Sequence, residues 1–137
     1  MERTLAIIKP DAVQGRHIGR IIQRIEAEGF DILAMRRLTL SREDAGRFYD
    51  VHRDKPFFKS LTEFMSSGSV VVMVLEREDA IGHWRGVMGA TNPADAAEGT
   101  LRKLFASSIE RNAVHGSDAP ETALEEVGFF FRELELA

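Results

Sequence analysis

The sequence predicts an α/β protein in which a small antiparallel sheet carries helices packed against it. Three observations support that prediction. The runs at residues 5–8 and 70–75 are continuously apolar rather than alternating, as strands covered on both faces are. Stretches with helical spacing stand between and after them, the clearest being Ile18, Ile21, Ile22 and Ile25 at i, i+3, i+4 and i+7. The 137 residues, 44% apolar and 29% charged, suit a single domain over 1–137. A chain of this size buries roughly 68% of the surface it would expose unfolded.

The first strand covers residues 5–8, and Pro10 closes it. The isoleucine stripe gives the first helix, with Gly29 placed to end it. Residues 30–40 alternate for part of their length, with Ile32, Ala34 and Arg36 on one side and Leu33, Met35 and Arg37 on the other, which predicts a second strand. Ser41 with an acidic partner three positions on, Asp44, reads as an N-cap leading into a helix over 45–51. Pro56 opens a further helix whose Phe57, Leu61, Phe64 and Met65 share a face. Residues 70–75 form the central strand. Helical patterns follow at 79–88 and around 100–105, then a short extended piece near Val114. Asp118, with Glu121 as its N3 partner, caps a last helix that tolerates Pro120 in its first turn and turns Leu124, Val127 and Phe131 inward. This order suits a four-stranded antiparallel sheet of the split βαβ, ferredoxin-like kind, covered by helices.

Composition excludes several functions. Lys and Arg total 18 against 22 Asp and Glu, a net charge of −4, so the chain has no global attraction for nucleic acid or anionic lipid. Any anion site must be a local cluster of cations. The absence of cysteine removes disulfides, thiolate zinc sites and cysteine nucleophiles. The longest clear apolar run, 70–75, is far short of the ~20 residues that span a bilayer, and the first residues do not read as a signal segment, so a cytoplasmic location is expected. No G-x-x-x-x-G-K-[ST] or G-x-G-x-x-G loop occurs, since Gly82, Gly86 and Gly89 are spaced differently. No H-E-x-x-H or G-x-S-x-G occurs either.

Of the four histidines, His115 has the most suggestive surroundings. Gly116 leaves room beside its ring, and Ser117 and Asp118 lie at a predicted helix start, where backbone N–H groups favour negative charge. A histidine that attacks phosphorus needs a neutral ring with one free nitrogen, and a carboxylate or carbonyl that fixes the tautomer through the other. Glu126, about two turns into that helix, is a candidate partner, although sequence alone favours an exposed helix carboxylate. His52 follows Tyr49 and neighbours Arg53 and Lys55, which fits a phosphate contact or a solvated helix end. His17 and His83 lie near helix starts. Phosphoryl transfer needs positive charge aimed at the transferring group. Lys9, Arg85 beside Trp84, Arg102, and the turn Thr91-Asn92-Pro93 are candidates, each explicable singly as a solvated charge or a plain turn.

Taken in order, the segments resemble the nucleoside diphosphate kinase family. They are Ile8-Lys9-Pro10-Asp11; Tyr49 with Arg53-Asp54-Lys55-Pro56-Phe57-Phe58; Ser67-Gly68 with Val70-Val71; Met88-Gly89-Ala90-Thr91-Asn92-Pro93-Ala94-Asp95; Gly99-Thr100-Leu101-Arg102; and Asn112-Ala113-Val114-His115-Gly116-Ser117-Asp118. The resemblance runs from Thr4 to about Leu134, and the N-x-x-H-G-S-D segment is its most specific part. It implies an α+β sandwich of ferredoxin-like type and exchange of a γ-phosphate between nucleoside tri- and diphosphates. His115 would become phosphohistidine in a ping-pong cycle. The family carries that phosphate on Nδ1, so Glu126 would orient the ring through the other nitrogen, supported by Ser117, with Tyr49 beside it. Arg85, Thr91 and Arg102 would hold phosphates, and His52 would join them. Lys9 and Asn112 would bind ribose hydroxyls, and Phe57 would stack on the base with Leu61 and Ile109 nearby. Stacking on a π face that every base offers gives broad base tolerance. Magnesium (Mg2+) would arrive on the nucleotide rather than in a protein cage. The family also implies a homo-oligomer, tetramer or hexamer.

Three positions depart from the family pattern. Leu104 stands where an aspartate is usual, Ser69 replaces a proline, and Gly15-Arg16 inverts a dipeptide. The first predicts a missing salt bridge or cap near Arg102. A non-catalytic ferredoxin-like nucleotide-binding module is the main competing reading. A histidine phosphocarrier is a second, which the cation and base-stacking residues disfavour. Nucleic-acid binding is a third, disfavoured by the negative charge.

Overall fold

A computed structural model describes residues 1–137. Strand β1 (Glu2–Ile8) runs through the middle of the sheet and leads at once into a short helix, α1 (Pro10–Gln14). Helix α2 (Ile18–Ala27) returns to strand β2 (Asp31–Thr39). Helices α3 (Arg42–Phe48) and α4 (Phe58–Met65) separate β2 from strand β3 (Ser69–Arg77). Helix α5 (Ala80–Met88), α6 (Leu101–Phe105), strand β4 (Val114–Gly116) and helix α7 (Pro120–Phe130) complete the order. The strands lie as β2-β3-β1-β4, and every pairing is antiparallel. This is the ferredoxin-like order predicted above.

The continuous apolar strands have the expected cause. On β1 and β3, Ala6, Ile8, Val71, Met73 and Leu75 face one core, shared with Ile21, Ile25 and Trp84. Leu5, Ile7, Val70, Val72 and Val74 face a second, shared with Ala45, Phe64, Met65 and Phe130. Helices α2 and α5 thus cover one face of the sheet, and α3, α4 and α7 the other. Each buried aliphatic side chain in such a layer contributes about 1.5–3 kcal/mol.

Local signals explain the element ends. Gly29 at φ +83° closes α2, with its own N–H bonded to Glu26 O and the Phe30 N–H to Ile25 O, a Schellman pair. Ser41 Oγ accepts from Asp44 N at 3.0 Å. Thr100 Oγ1 accepts from Lys103 N at 3.3 Å. No helix is long and apolar enough to cross a membrane.

Several boundaries differ from expectation. Ala119, not Asp118, caps α7, and Thr122 rather than Glu121 closes that turn by accepting from Ala119 N at 3.0 Å. Leu124 is 78% exposed, whereas Val127 and Phe131 do turn inward, joined by Ala123 and Phe130. Helix α4 starts at Phe58, after the Pro56 turn, and α3 ends at Phe48 before a 3-10 turn over Asp50–His52. A bulge between Ile32 and Ala34 reverses the parity of β2. Ile32 therefore packs into the first core, while Ala34 joins Leu33 and Leu38 against the second.

Candidate active site

Two insertions into the simple sheet topology build the site. A hairpin would join β2 to β3 in the plainest version of this fold; here α3 and α4 replace it, carrying Tyr49, His52, Phe57 and Leu61. The long connection from α5 to β4 carries Thr91, Arg102, Ile109 and Asn112. Ser60 Oγ donates to Glu110 Oε2 at 2.6 Å, tying the two insertions together. Lys9 follows the end of β1, and His115 lies on β4, which pairs with β1.

His115 is fixed on three sides. Its backbone pairs with Ile7 in the β1–β4 ladder, and its carbonyl accepts from Trp84 Nε1 at 3.1 Å. Gly116 allows that close approach, because a Cβ there would lie 2.5 Å from Trp84 Cδ1. The ring itself bonds through Nε2 to Glu126 Oε1 at 2.8 Å. Ser117 Oγ donates to the same carboxylate oxygen at 2.9 Å and accepts from Leu5 N at 3.1 Å, so the sheet anchors the serine and the serine anchors the carboxylate. An ionised carboxylate only accepts, which puts the proton on Nε2 and leaves Nδ1 a lone pair. Phe48 and Tyr49 meet the imidazole edge-on, with centroids 5.5 and 6.4 Å away. The Tyr49 hydroxyl is buried without a partner, and burial with the Glu126 charge holds the phenol protonated far above its usual range.

The cations form a second layer. Lys9 Nζ donates to Asn112 Oδ1 at 2.8 Å, and both residues are buried. Arg102 donates to the carbonyls of Asn112, Gly89 and Val114 at 3.3, 3.0 and 2.9 Å. Asn112 Nδ2 reaches Thr91 O at 3.4 Å. Lys9, Thr91, Arg102 and Asn112 are therefore one connected group. Burial, then the charge of Arg102, lowers the Lys9 pKa from 10.5 to about 8. Burial, then Arg85, lowers that of Arg102 to about 10. Both cations sit where an anion would relieve them. Leu104 beside Arg102 is 58% exposed, and three carbonyls hold the guanidinium instead of a carboxylate.

The remaining predicted residues line the approach. His52 lies between Tyr49 and Phe57, 6.4 and 5.4 Å from their ring centroids. Phe57 is 46% exposed and Ile109 60%, whereas Leu61 packs partly into the second core. Arg85 Nη1 donates to Asp118 Oδ1 at 2.6 Å on the surface. A cavity of about 340 Å³ touches His115, Tyr49, His52 and Glu126 on the α7 side of the ring. No group of three His, Asp or Glu side chains is placed to hold a metal ion.

Phe48, Trp84 as a backbone anchor and the Asp118–Arg85 pair were not predicted. Only Trp84 and Asp118 had a signal, as neighbours of Arg85 and His115. Asp11 Oδ2 accepts from Ala113 N at 3.0 Å, a bond the sequence does not signal.

An imidazole with one nitrogen bound to a carboxylate and the other free is what a nucleophilic or acid–base histidine needs. A family model described as nucleoside diphosphate kinase matches residues 2–136. The nucleoside diphosphate kinase of Syntrophotalea carbinolica is 63% identical over 99% of this chain and 99% of its own. The solved Aquifex aeolicus nucleoside diphosphate kinase is 46% identical, covers 99% of both chains and superposes with a TM-score of 0.98. That of Halobacterium salinarum, solved in complex with CDP, is 39% identical over 99% of this chain and 91% of its own, with a TM-score of 0.95. The chain belongs to the nucleoside diphosphate kinase family.

Proposed function

We propose that this protein moves the γ-phosphate of a nucleoside triphosphate, typically ATP, to a nucleoside diphosphate through a phosphohistidine at His115. The observation that carries the reading is the 2.8 Å bond from His115 Nε2 to Glu126, which leaves Nδ1 as the free nitrogen of the ring. Nδ1 attacks the γ-phosphorus, an N–P bond forms as the P–O bond to the β-phosphate breaks, and the diphosphate leaves. The acceptor diphosphate then attacks the same phosphorus, and the N–P bond breaks. Glu126 offsets the positive charge that the ring gains in each direction, and Ser117 keeps the carboxylate in place.

Arg102, Thr91 and Arg85 serve the phosphates, and Arg85 must first release Asp118. His52 stands at the phosphate end, Lys9 and Asn112 serve the ribose, and Phe57 stacks on the base with Leu61 and Ile109 beside it. The Tyr49 hydroxyl, buried and unpartnered, is a donor for the phosphate once it is on the ring. The CDP complex of the Halobacterium salinarum relative supports a nucleotide in this cleft. The substrate is read as the magnesium complex of the nucleotide, in which Mg2+ would arrive with the nucleotide and offset phosphate charge. The reading places one domain, 1–137, in the cytoplasm as a homo-oligomer, tetramer or hexamer. The edge position of β2 with its half-exposed Met35 supports such assembly.

The test is direct. The protein is mixed with ATP labelled at the γ-position and magnesium, quenched in alkali, mapped, and chased with unlabelled GDP. Acid-labile label on His115 that moves to GTP is expected. Bound nucleotide without label would leave the non-catalytic module standing instead.

A further inference from the structure

The segment just before His115 is strained. Val114 N donates to Asn112 O at 2.8 Å, closing a three-residue turn around Ala113, whose φ is +74°. This is the classic γ-turn, a rare conformation for a residue with a Cβ, and it persists only where neighbours hold it. It also sets how far Asn112, on the ribose side, stands from the His115 imidazole.

The neighbours that hold it are identifiable. The Ala113 carbonyl accepts from Lys9 N at 2.8 Å, which is a backbone contact. Arg102 holds the carbonyls on either side of Ala113, but Arg102 already belongs to the phosphate group. The Ala113 N–H is left, and its acceptor is Asp11 Oδ2 at 3.0 Å. Asp11 Oδ1 is buried and has no partner, so the carboxylate has no role facing solvent. Burial pushes its pKa up, and the backbone N–H groups of Ala12 and Ala113 hold it down, followed by Lys9. Nothing in the transfer reaction uses this residue.

We infer that Asp11 is a positioning residue: its carboxylate clamps the Asn112–Ala113–Val114 γ-turn and so fixes the distance between the ribose-binding amide and the phosphate-accepting ring. The inference rests on the proposed role of His115. It differs from the plain alternative, in which Asp11 only favours the start of α1, because that role would leave the reacting geometry unchanged.

A comparison of two phosphoryl donors separates these readings. ATP must be aligned by ribose and phosphates together. Phosphoramidate needs only the imidazole: Nδ1 forms the new N–P bond as the old P–N bond breaks and ammonia leaves. Phosphoenzyme formation is followed in single turnovers with each donor, on wild type, Asp11→Ala, Asp11→Asn and Asp11→Ser. Folding is checked by thermal melting. In Asp11→Ala the ATP rate at saturation should fall at least about tenfold, while the phosphoramidate rate stays within about threefold of wild type. Asp11→Asn keeps an accepting oxygen and should recover most of the ATP rate. Asp11→Ser keeps a polar helix start, but its shorter hydroxyl does not reach Ala113. It should behave like Asp11→Ala, and it carries the test if the alanine variant fails to fold. Wild-type ATP rates in Asp11→Ser or a folded Asp11→Ala overturn the inference, as does an equal loss with both donors. Wild-type protein that takes phosphate from neither donor overturns the His115 reading itself.

Discussion

At the scale of single residues, the contacts between charged groups and their anchors set the geometry of the site. Glu126 accepts from both His115 Nε2 and Ser117 Oγ on one oxygen, and a neutral amide at that position cannot offset an imidazolium equally. Glu126→Gln should slow phosphoenzyme formation about 10–100-fold, or about 1.4–2.7 kcal/mol of barrier, with a smaller change in nucleotide affinity. Rapid-quench kinetics beside equilibrium titration measures both. Weaker affinity with an unchanged transfer rate would assign Glu126 another role. Lys9 provides a second handle, because burial and then Arg102 bring its pKa down to about 8. An anionic nucleotide favours the ammonium and raises that pKa, so the complex holds more protons than the free protein as pH passes through 8. Affinity should therefore be full below that pH and decline above it. Calorimetry near pH 8 in buffers of different ionisation enthalpy should show proton uptake on binding, lost in Lys9→Met. The same observed heat in every buffer would uncouple the lysine from the nucleotide. These residues were visible in the sequence as members of short motifs. The Asp11–Ala113 bond was not, because it joins residues 102 apart and depends on a backbone angle that no motif encodes.

At the scale of elements, the legible features were those written in a local period or a local cap. Helix α2 showed its isoleucine stripe, β3 its unbroken apolar run, and Gly29 its Schellman stop. The bulge in β2 escaped because an extra residue is defined by the partner strand, and it put Ala34 on the face opposite Ile32. Helix α1 escaped because five residues hold too little period to read. The cap of α7 escaped because Asp118 turns to Arg85 on another helix. Gly116 is where element packing and chemistry meet. A methyl there would lie 2.5 Å from Trp84 Cδ1 and 2.8 Å from Met88 Cε, both in the buried wall of α5. Gly116→Ala must push β4 away from α5 or displace the indole that holds the His115 carbonyl. It should lower stability by about 1–3 kcal/mol, seen as a lower denaturant midpoint with altered tryptophan emission. An unchanged midpoint would mean that β4 is free to shift, which its pairing with β1 argues against.

At the scale of the whole molecule, the sheet order decides how the substrates meet. Lys9 and His115 come from adjacent central and edge strands, and the two helical insertions close over the same end of those strands. Lys9, Arg102 and Asn112 form a single buried group, so a donor and an acceptor that both use it exclude each other. On the proposed reading the phosphate waits on the protein between the two nucleotides, on the free nitrogen of His115. Initial rates with varied triphosphate and diphosphate should accordingly give parallel double-reciprocal lines. High diphosphate should inhibit competitively against triphosphate, since it can also occupy the site before phosphorylation. The half-exposed Phe57 ring offers a stacking surface rather than an edge-reading pocket, so kcat/KM for ATP and GTP should agree within about tenfold. Converging lines would require both nucleotides to be bound at once. The connected cluster would then have to divide between two nucleotides, which its shared hydrogen bonds through Asn112 do not permit without breaking the link from Lys9 or from Arg102.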